Sequence, residues 1–406
     1  MRRRLAIVAD SHFDHASRFE ECVRVHDWIA DDLAARGVNL VLHSGDVYER
    51  RSTPEERRAV AAWAQRVTKR TPMIIVRGNH DQPGDLSLLE RLETEHELRV
   101  VEGAEVLWGS AFGGFVVGCV AWPTKASVLA MGATSRAEGE SDAGTALRNV
   151  LLGLGQDMAR ACENEPKVLL AHAMVRGSVT STGQPLVGHD LELGLEVLAL
   201  ANADFVALGH IHKGQDWVHG ATLPVCPIVY PGSPRRTAFG ELEPKGYVIA
   251  EFDGPACVGW MRVETPCARM IHLTANWVDA LDLALDSTGE IRDDVESGLV
   301  FDSHISDVEG AEVRVRYVVE SDKREAARAA AAEFRDGLLA AGAVNVKLEE
   351  EVEPTGSARA PEVARAKTLA DKLLALWQAR RTTPPEQRLH RLTDKASQLE
   401  EVARAV

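Results

Sequence analysis

Five short clusters in this chain combine residue types that ligate metals and move protons: Asp10-Ser11-His12, Gly45-Asp46, Gly78-Asn79-His80-Asp81, His172 and Gly209-His210-Ile211-His212. As ligands they offer two carboxylates (Asp10, Asp46), four imidazoles (His12, His172, His210, His212) and the amide oxygen of Asn79. That set suffices for two divalent cations and leaves His80 free for acid–base work near neutral pH. Asp46 stands alone after its glycine and is the natural carboxylate to bridge two ions. Asp81 is placed to hold the His80 ring in one tautomer, as carboxylates do beside histidines in other sites. Mixed nitrogen and oxygen ligation suits Mn2+, Fe2+ or Zn2+ better than Ca2+ or Mg2+. Paired ions of this kind activate water and stabilise charge at a phosphoryl centre. They also bring positive charge to a chain with 46 Lys and Arg against 61 Asp and Glu. A net charge of −15 excludes general nucleic-acid binding by field alone.

Each cluster follows an apolar run, at 5–9, 38–43, 73–76, 167–171 and 204–208, and each run reads as a buried strand. Helical patterns lie between them. One covers 18–36 and closes at Gly37, and another opens at Thr53-Pro54-Glu55-Glu56 with an N-cap and a proline at the first helical position. Further helices are expected over 84–93, 146–163 and 190–201. This alternation marks an α/β layered domain. Open α/β sheets bind ligands beyond the carboxyl ends of their strands, where the clusters gather. Residues 97–123 read as strand after strand, 131–145 as a mobile surface loop, and 246–252 as the strand that closes the first domain.

Beyond about residue 265 the pattern becomes helix 276–285, strand 312–319, Ala-rich helix 323–341 and strand 345–350, a small α+β domain. Glu353-Pro354-Thr355-Gly356-Ser357 reads as a linker to two helices split by Thr382-Thr383-Pro384-Pro385. Their apolar residues, Val363, Ala366, Ala370, Leu373 and Trp377, then Leu389, Leu392, Ala396, Leu399 and Ala403, step by three and four in a heptad-like seam. Residues 359–406 hold ten Lys and Arg against six Asp and Glu. So short a segment must pack on something, and its seam is expected to dock a partner. The six cysteines form no CxxC pair and are expected to be reduced, in a cytoplasmic protein. The basic start Met1-Arg2-Arg3-Arg4 is followed by an apolar run too short for a signal peptide. No stretch approaches the roughly 18 apolar residues of a membrane span.

The series Asp10-x-His12, Gly45-Asp46, Gly78-Asn79-His80-Asp81, His172, Gly209-His210-x-His212 resembles the calcineurin-like metallophosphoesterase superfamily. Lys213, then Tyr230-Pro231-Gly232-Ser233-Pro234-Arg235-Arg236, Phe239-Gly240-Glu241 and Lys245-Gly246-Tyr247, are similar to its SbcD/Mre11 DNA nuclease branch, including YhaO-like exonucleases. The resemblance implies an α/β fold in which a four-layer αββα metallophosphoesterase domain spans 1–264 and a small α+β capping domain 265–353. A linker and C-terminal helical pair, 354–406, would follow. It implies that residues 359–406 dock on an SbcC/Rad50-like SMC-family ATPase, and that the chain acts on DNA, as a homodimer, away from membranes. One metal would sit on Asp10, His12, Asp46 and His212, and a second on Asp46, Asn79, His172 and His210. Two Mn2+ are implied, with Fe2+, Zn2+ or Mg2+ as alternatives. His80 would protonate the leaving oxygen and Asp81 would orient it. The activity implied is exonuclease action at duplex ends and endonuclease action on single strands or hairpins. Glu49 departs from the pattern, because some relatives carry a second active-site histidine there; Glu49 is instead read as orienting a neighbour.

Arg77, Arg235 and Arg236 are candidate phosphate contacts, since arginine suits bidentate phosphate binding. Asp14, His15, His43, His96, His189 and His219 match no ligand slot and are read as surface or core residues. Two other readings stay open: a hydrolase of small phosphate esters, and a scaffold whose site has decayed.

Overall fold

The apolar runs form strands because both of their faces are buried. In the computed structural model, which describes residues 2–123, 139–162, 164–181, 192–219, 226–278, 298–301, 307–353, 366, 368–380 and 388–396, the chain divides into two compact units. The first comprises Met1–His272, Asp307–Arg314 and Ala341–Asn345. The second comprises Leu273–Ser306, Val315–Ala340 and Val346–Val406.

The first unit is built on two six-stranded sheets. In one, β1 (Arg2–Val8), β2 (Leu40–His43), β3 (Met73–Val76) and β4 (Leu98–Val101) run parallel in that order. β5 (Ala104–Leu107), β6 (Val116–Val120) and β7 (Lys167–His172) begin the other sheet, and a small pair, β8 (Met174–Val175) and β9 (Glu192–Leu193), stands apart. β10 (Phe205–Gly209), β11 (Gln215–His219) and β12 (Cys226–Tyr230) complete the order β11-β12-β10-β7-β6-β5. β13 (Gly246–Asp253) then joins β1 antiparallel, and β14 (Ala256–Glu264) joins β13.

Side-chain alternation sorts the apolar residues into three cores. Leu5, Ile7, Leu42, Ile74 and Val76 meet Val117, Val168, Leu170 and Phe205 between the sheets. Ala6, Val8, Val41 and Ile75 face the first two helices, α1 (Phe19–Arg36) and α2 (Pro54–Thr68). Val116, Leu169, Val206 and Leu208 face α3 (Gly139–Ala161) and the short α4 (Leu195–Leu198). Helix, sheet, sheet, helix is the expected four-layer αββα order. The α2 start carries the full capping box, with Thr53 and Glu56 bonding each other's backbone N–H.

Three expected helices differ from the observed elements. Residues 84–93 form only a 3-10 turn, Leu86–Arg91. The helix expected over 190–201 is reduced to α4 and a 3-10 turn at Ala199–Ala201, preceded by β9. The helix placed near 146 starts at Gly139, inside the expected loop, and residues 131–138 lie outside the described ones.

In the second unit, residues 276–278 are strand, the end of β15 (Met270–Val278), because Leu273, Ala275 and Trp277 alternate toward one face. Residues 279–285 are outside the described ones. β16 (Gly298–Phe301), β17 (Glu312–Glu320) and β18 (Asn345–Glu353) complete the sheet β16-β15-β17-β18. α5 (Arg324–Ala340) buries Ala327 and Ala331 against Ala275, Tyr317 and Val319. This is the small α+β arrangement expected. α6 (Leu369–Arg380) and a helix over 388–396 follow; Val363, Leu399 and Ala403 of the expected seam are outside the described residues. Among the described residues, no helix is long and apolar enough to cross a membrane.

Candidate metal centre

All five clusters lie at or just past the C-terminal ends of β1, β2, β3, β7 and β10, strands buried along their lengths toward those ends. Backbone bonds lace the first two loops together: Asp10 N donates to Gly45 O at 3.0 Å and His12 N to Asp46 O at 3.1 Å. Asp10, His12, Asp46 and His210 have positive φ, at 53°, 45°, 54° and 110°. Non-glycine residues rarely adopt this region, and such strain persists only where the surroundings enforce it. Two glycines make the approach close enough. A Cβ on Gly78 would lie 2.1 Å from Asp46 Oδ1, and one on Gly45 would lie 2.4 Å from His172 Nδ1.

Among the described residues, three groups of His, Asp and Glu bring ligand atoms within 4.8 Å of one another: Asp10–His12–His212, Asp46–His172–His210 and His12–Glu49–His80. The first two contain all the expected metal ligands except Asn79. Its Oδ1 lies 2.8 Å from His172 Nε2 and 3.0 Å from His210 Nδ1. Asp46 touches both groups, with Oδ2 at 3.3 Å from His172 Nε2 and 3.9 Å from His12 Nε2. Asp10, His12, Asp46 and His172 are all at most 2% exposed.

This donor chemistry fits divalent metal. His172 Nδ1 donates to Ser44 O at 2.6 Å, so its Nε2 lone pair faces the oxygens of Asp46 and Asn79. Acceptors that converge without a donor need a cation between them. Asp10 Oδ2 and His12 Nε2 are buried with no hydrogen-bond partner, although Asp10 Oδ1 accepts from His210 N. Without metal, a proton on His172 takes the place of the cation. Burial lowers the His172 pKa, but Asp46 outweighs it and lifts the ring to about 9. Burial pushes the Asp10 carboxyl up, partly countered by His212 and His172. Burial also raises Asp46, yet the neighbouring His172 and His12 hold it well below the usual carboxylate range. Burial and His172 depress His210 to about 3.

His80 is half-buried, and its Nδ1 donates to Glu49 O at 2.8 Å, which leaves Nε2 as the atom that gives or takes a proton. Asp81 does not orient it, contrary to expectation. Its two oxygens accept from Tyr48 N and Gly78 N, each at 2.9 Å, so it ties the loop after β3 to the loop after β2. Burial, with Asp46 adding repulsion, raises the Asp81 carboxyl to about 6.

The arginines are also corrected. Arg77 is 9% exposed and donates to the carbonyls of Gly78 and Trp122, at 3.2 and 3.4 Å. Arg235 is 2% exposed and donates to His12 O at 2.8 Å. Arg236 donates to the carbonyls of Glu241, Glu243 and Ala268. Each donates to backbone carbonyls and so braces loops, although Arg235 Nε is buried without a partner.

Several supporting residues complete the centre. Glu49 Oε2 lies 2.7 Å from His12 Nδ1, and that bond, before burial opposes it, holds the Glu49 carboxyl low. Its place near the ligands was noted in the sequence; its partner was not. Thr237 Oγ1 donates to Glu241 at 2.8 Å and lies 3.2 Å from His212 Nδ1. Lys245, 2% exposed, donates to His212 O and pairs with Glu241. The Trp122 ring lies 4.8 Å from that of His210. Finally, Ser11 Oγ sits 2.7 Å from His26 Nε2 and 2.8 Å from His43 Nε2. His26 Nδ1 donates to Cys22 O at 2.7 Å, and Gly45 N donates to His43 Nδ1 at 3.3 Å. These bonds define the tautomers. His43 donates to Ser11, Ser11 donates to His26, and the loops carrying Asp10, His12 and Asp46 are pinned from behind.

A cavity of about 250 Å3 opens on the centre, lined by His12, Asp14, Ser17, Glu49, His80, His212, Arg235 and Thr237. The arrangement can bind divalent cations and present a histidine to a group held beside them.

Comparison with known proteins agrees with this chemistry. Residues 4–254 match the family model of the calcineurin-like phosphoesterase superfamily domain. Similar solved structures include GAP50, the anchor in the inner membrane complex of Plasmodium (12% identity, 65% of this chain and 89% of that chain, TM-score 0.41). Others are a dimetal phosphatase from Danio rerio (10%, 65% and 97%, TM-score 0.38) and the TT1561 protein of Thermus thermophilus (16%, 61% and 94%, TM-score 0.35). At these TM-scores the solved structures carry no part of the assignment. With a family match spanning more than half its length, laid over two ligand groups that meet at Asp46, this chain belongs to the calcineurin-like metallophosphoesterase superfamily.

Proposed function

We propose that the chain is a Mn2+-dependent DNA nuclease of the SbcD/Mre11 type, acting in the cytoplasm on duplex ends and on single-stranded or hairpin DNA. The observation that carries phosphodiester hydrolysis is the meeting of two ligand groups at Asp46 beside a cavity that His80 also lines. Asp10, His12, Asp46 and His212 would hold one ion, and Asp46, Asn79, His172 and His210 the other. When bound, the ions supply an activated water and neutralise charge at phosphorus. The chain's own part is to position and to transfer protons. With its Nδ1–H committed to Glu49 O, His80 delivers a proton from Nε2 to the leaving oxygen.

The DNA assignment draws on the 230–247 segment. Its Arg235, Thr237, Glu241 and Lys245 brace His12 and His212, so the signature and the ligands form one unit. Residues 359–406, basic in an acidic chain, would dock an SbcC/Rad50-like SMC-family ATPase, and the chain would work as a homodimer. A second reading is hydrolysis of small phosphate esters, since the ligand groups and His80 would act on any phosphate the cavity admits.

The test is cleavage of end-labelled duplex and hairpin DNA with Mn2+, with bis-p-nitrophenyl phosphate in parallel. The wild type should cleave both. His80→Ala should keep its metal and lose about 100-fold or more in rate. Cleavage of the small ester with DNA untouched would move the assignment to the second reading. Full activity in His80→Ala would remove that residue from the mechanism.

A further inference from the structure

The described lining of the cavity holds two carboxylates, Asp14 and Glu49, and one guanidinium, Arg235. Asp14 is 9% exposed and is paired with Arg50 at 2.7 Å. Arg235 is turned onto the His12 carbonyl. Glu49 is different. Its side chain is 38% exposed, with Oε2 at 2.7 Å from His12 Nδ1 and Oε1 at 3.8 Å from His80 Nδ1. Histidines that ligate metal do so as neutral imidazoles, so His12 offers Glu49 a hydrogen bond and no charge. His80 Nδ1 is already bonded to the Glu49 backbone carbonyl. The carboxylate therefore faces whatever phosphate the cavity admits.

We propose that Glu49 is a specificity-determining residue that makes the cavity prefer singly charged phosphodiester groups over doubly charged phosphomonoesters. This rests on the phosphodiesterase reading above. A diester phosphate carries one negative charge. A terminal monoester carries nearly two once the pH is above its second pKa of about 6. Divalent ions attract both, and Glu49 repels the dianion more strongly than the monoanion. The same charge favours product departure. Hydrolysis of a diester adds water across one P–O bond and yields an alcohol and a monoester whose extra charge Glu49 opposes.

The experiment reads binding alone. The Mn2+-loaded full chain is titrated at pH 8 with methyl phosphate and with dimethyl phosphate, by calorimetry. Glu49→Gln removes the charge and keeps an oxygen for the His12 Nδ1–H. It should lower the methyl phosphate Kd by about tenfold and the dimethyl phosphate Kd by only about threefold, because the interaction scales with ligand charge. Equal shifts for both ligands, or no shift for either, would overturn the proposal. Glu49→Asp keeps the charge and alters the reach to His12, and should retain the wild-type preference. Loss of preference in that variant would trace the effect to His12 placement and also overturn it. A chain that shows this selectivity yet leaves DNA intact would fail as a nuclease without disturbing the role of Glu49.

Discussion

His26 and His43 are 1% and 0% exposed, and burial, their largest influence, lowers each to about 3. An unfolded histidine titrates near 6.5. Below that pH the unfolded chain binds protons that the folded chain refuses, so stability falls as pH drops from 6.5 toward 3. For His26→Gln, the stability-against-pH slope between pH 6.5 and 5 should flatten by up to about 1.4 kcal/mol per pH unit, read from urea midpoints. An unchanged slope would mean that His26 is protonated in the fold. The metal ligands were legible in the sequence because their types are rare together and recur after every apolar run. The Ser11–His26–His43 chain was not. His26 lies on a helix 15 residues from its hydroxyl partner, and no local pattern marks such a pairing. Asp81 misled for the opposite reason. It adjoins His80 in sequence, yet the turn aims its carboxylate at two backbone N–H groups.

The strands were legible because Leu5, Leu42, Ile74, Leu170 and Phe205 are buried on one face of their sheets and their neighbours on the other. Double burial leaves an unbroken apolar run. The start of α3 was not, because among its described side chains the buried stripe, Leu147, Leu151, Leu154 and Met158, gives a helical spacing only from Leu147 onward. Residues 276–278, the end of β15, were read as the start of a helix over 276–285, because only alternate residues such as Ala275 and Trp277 face the small core. The loops after the strands do the positioning, and their tolerance is small at Gly78. A Cβ there meets Asp46 Oδ1 at 2.1 Å and Asp46 N at 2.3 Å. Backbone cannot yield as a flexible side-chain end can, so Gly78→Ala must displace Asp46, at a cost of about 1–3 kcal/mol. The variant should keep its far-UV circular dichroism and lose bound Mn2+ by elemental analysis. Gly103→Ala, with nothing within 4 Å of the added Cβ, should keep the metal. Retention of full metal by Gly78→Ala would show that the loops reshape freely.

A chain with net charge −15 places two buried carboxylates, Asp10 and Asp46, and the lone pairs of several imidazoles at one spot. Asp10 Oδ2 and His12 Nε2 are buried there without partners, which opposes folding, so metal that binds only the folded state must raise stability through linkage. At free Mn2+ near 100 times its Kd the gain is about 2.7 kcal/mol for one ion, which in a domain of this size raises Tm by about 5–10 °C. Treatment with a chelator should lower Tm by that amount, and returning Mn2+ should restore it. Among the described residues, Asp46 is the one carboxylate within 4 Å of imidazoles in both groups, at 3.3 and 3.9 Å. A singly charged carboxylate at that point would let two divalent ions share so small a volume. Asp46→Asn keeps the size and the hydrogen bond from His80 N while removing that charge. It should abolish most of the Mn2+-dependent rise in Tm, whereas Glu309→Gln, a distant surface carboxylate, should preserve it. If Asp46→Asn kept the full rise, the two ligand groups would have to bind their ions independently, and the meeting of both at Asp46 would no longer support two-metal hydrolysis.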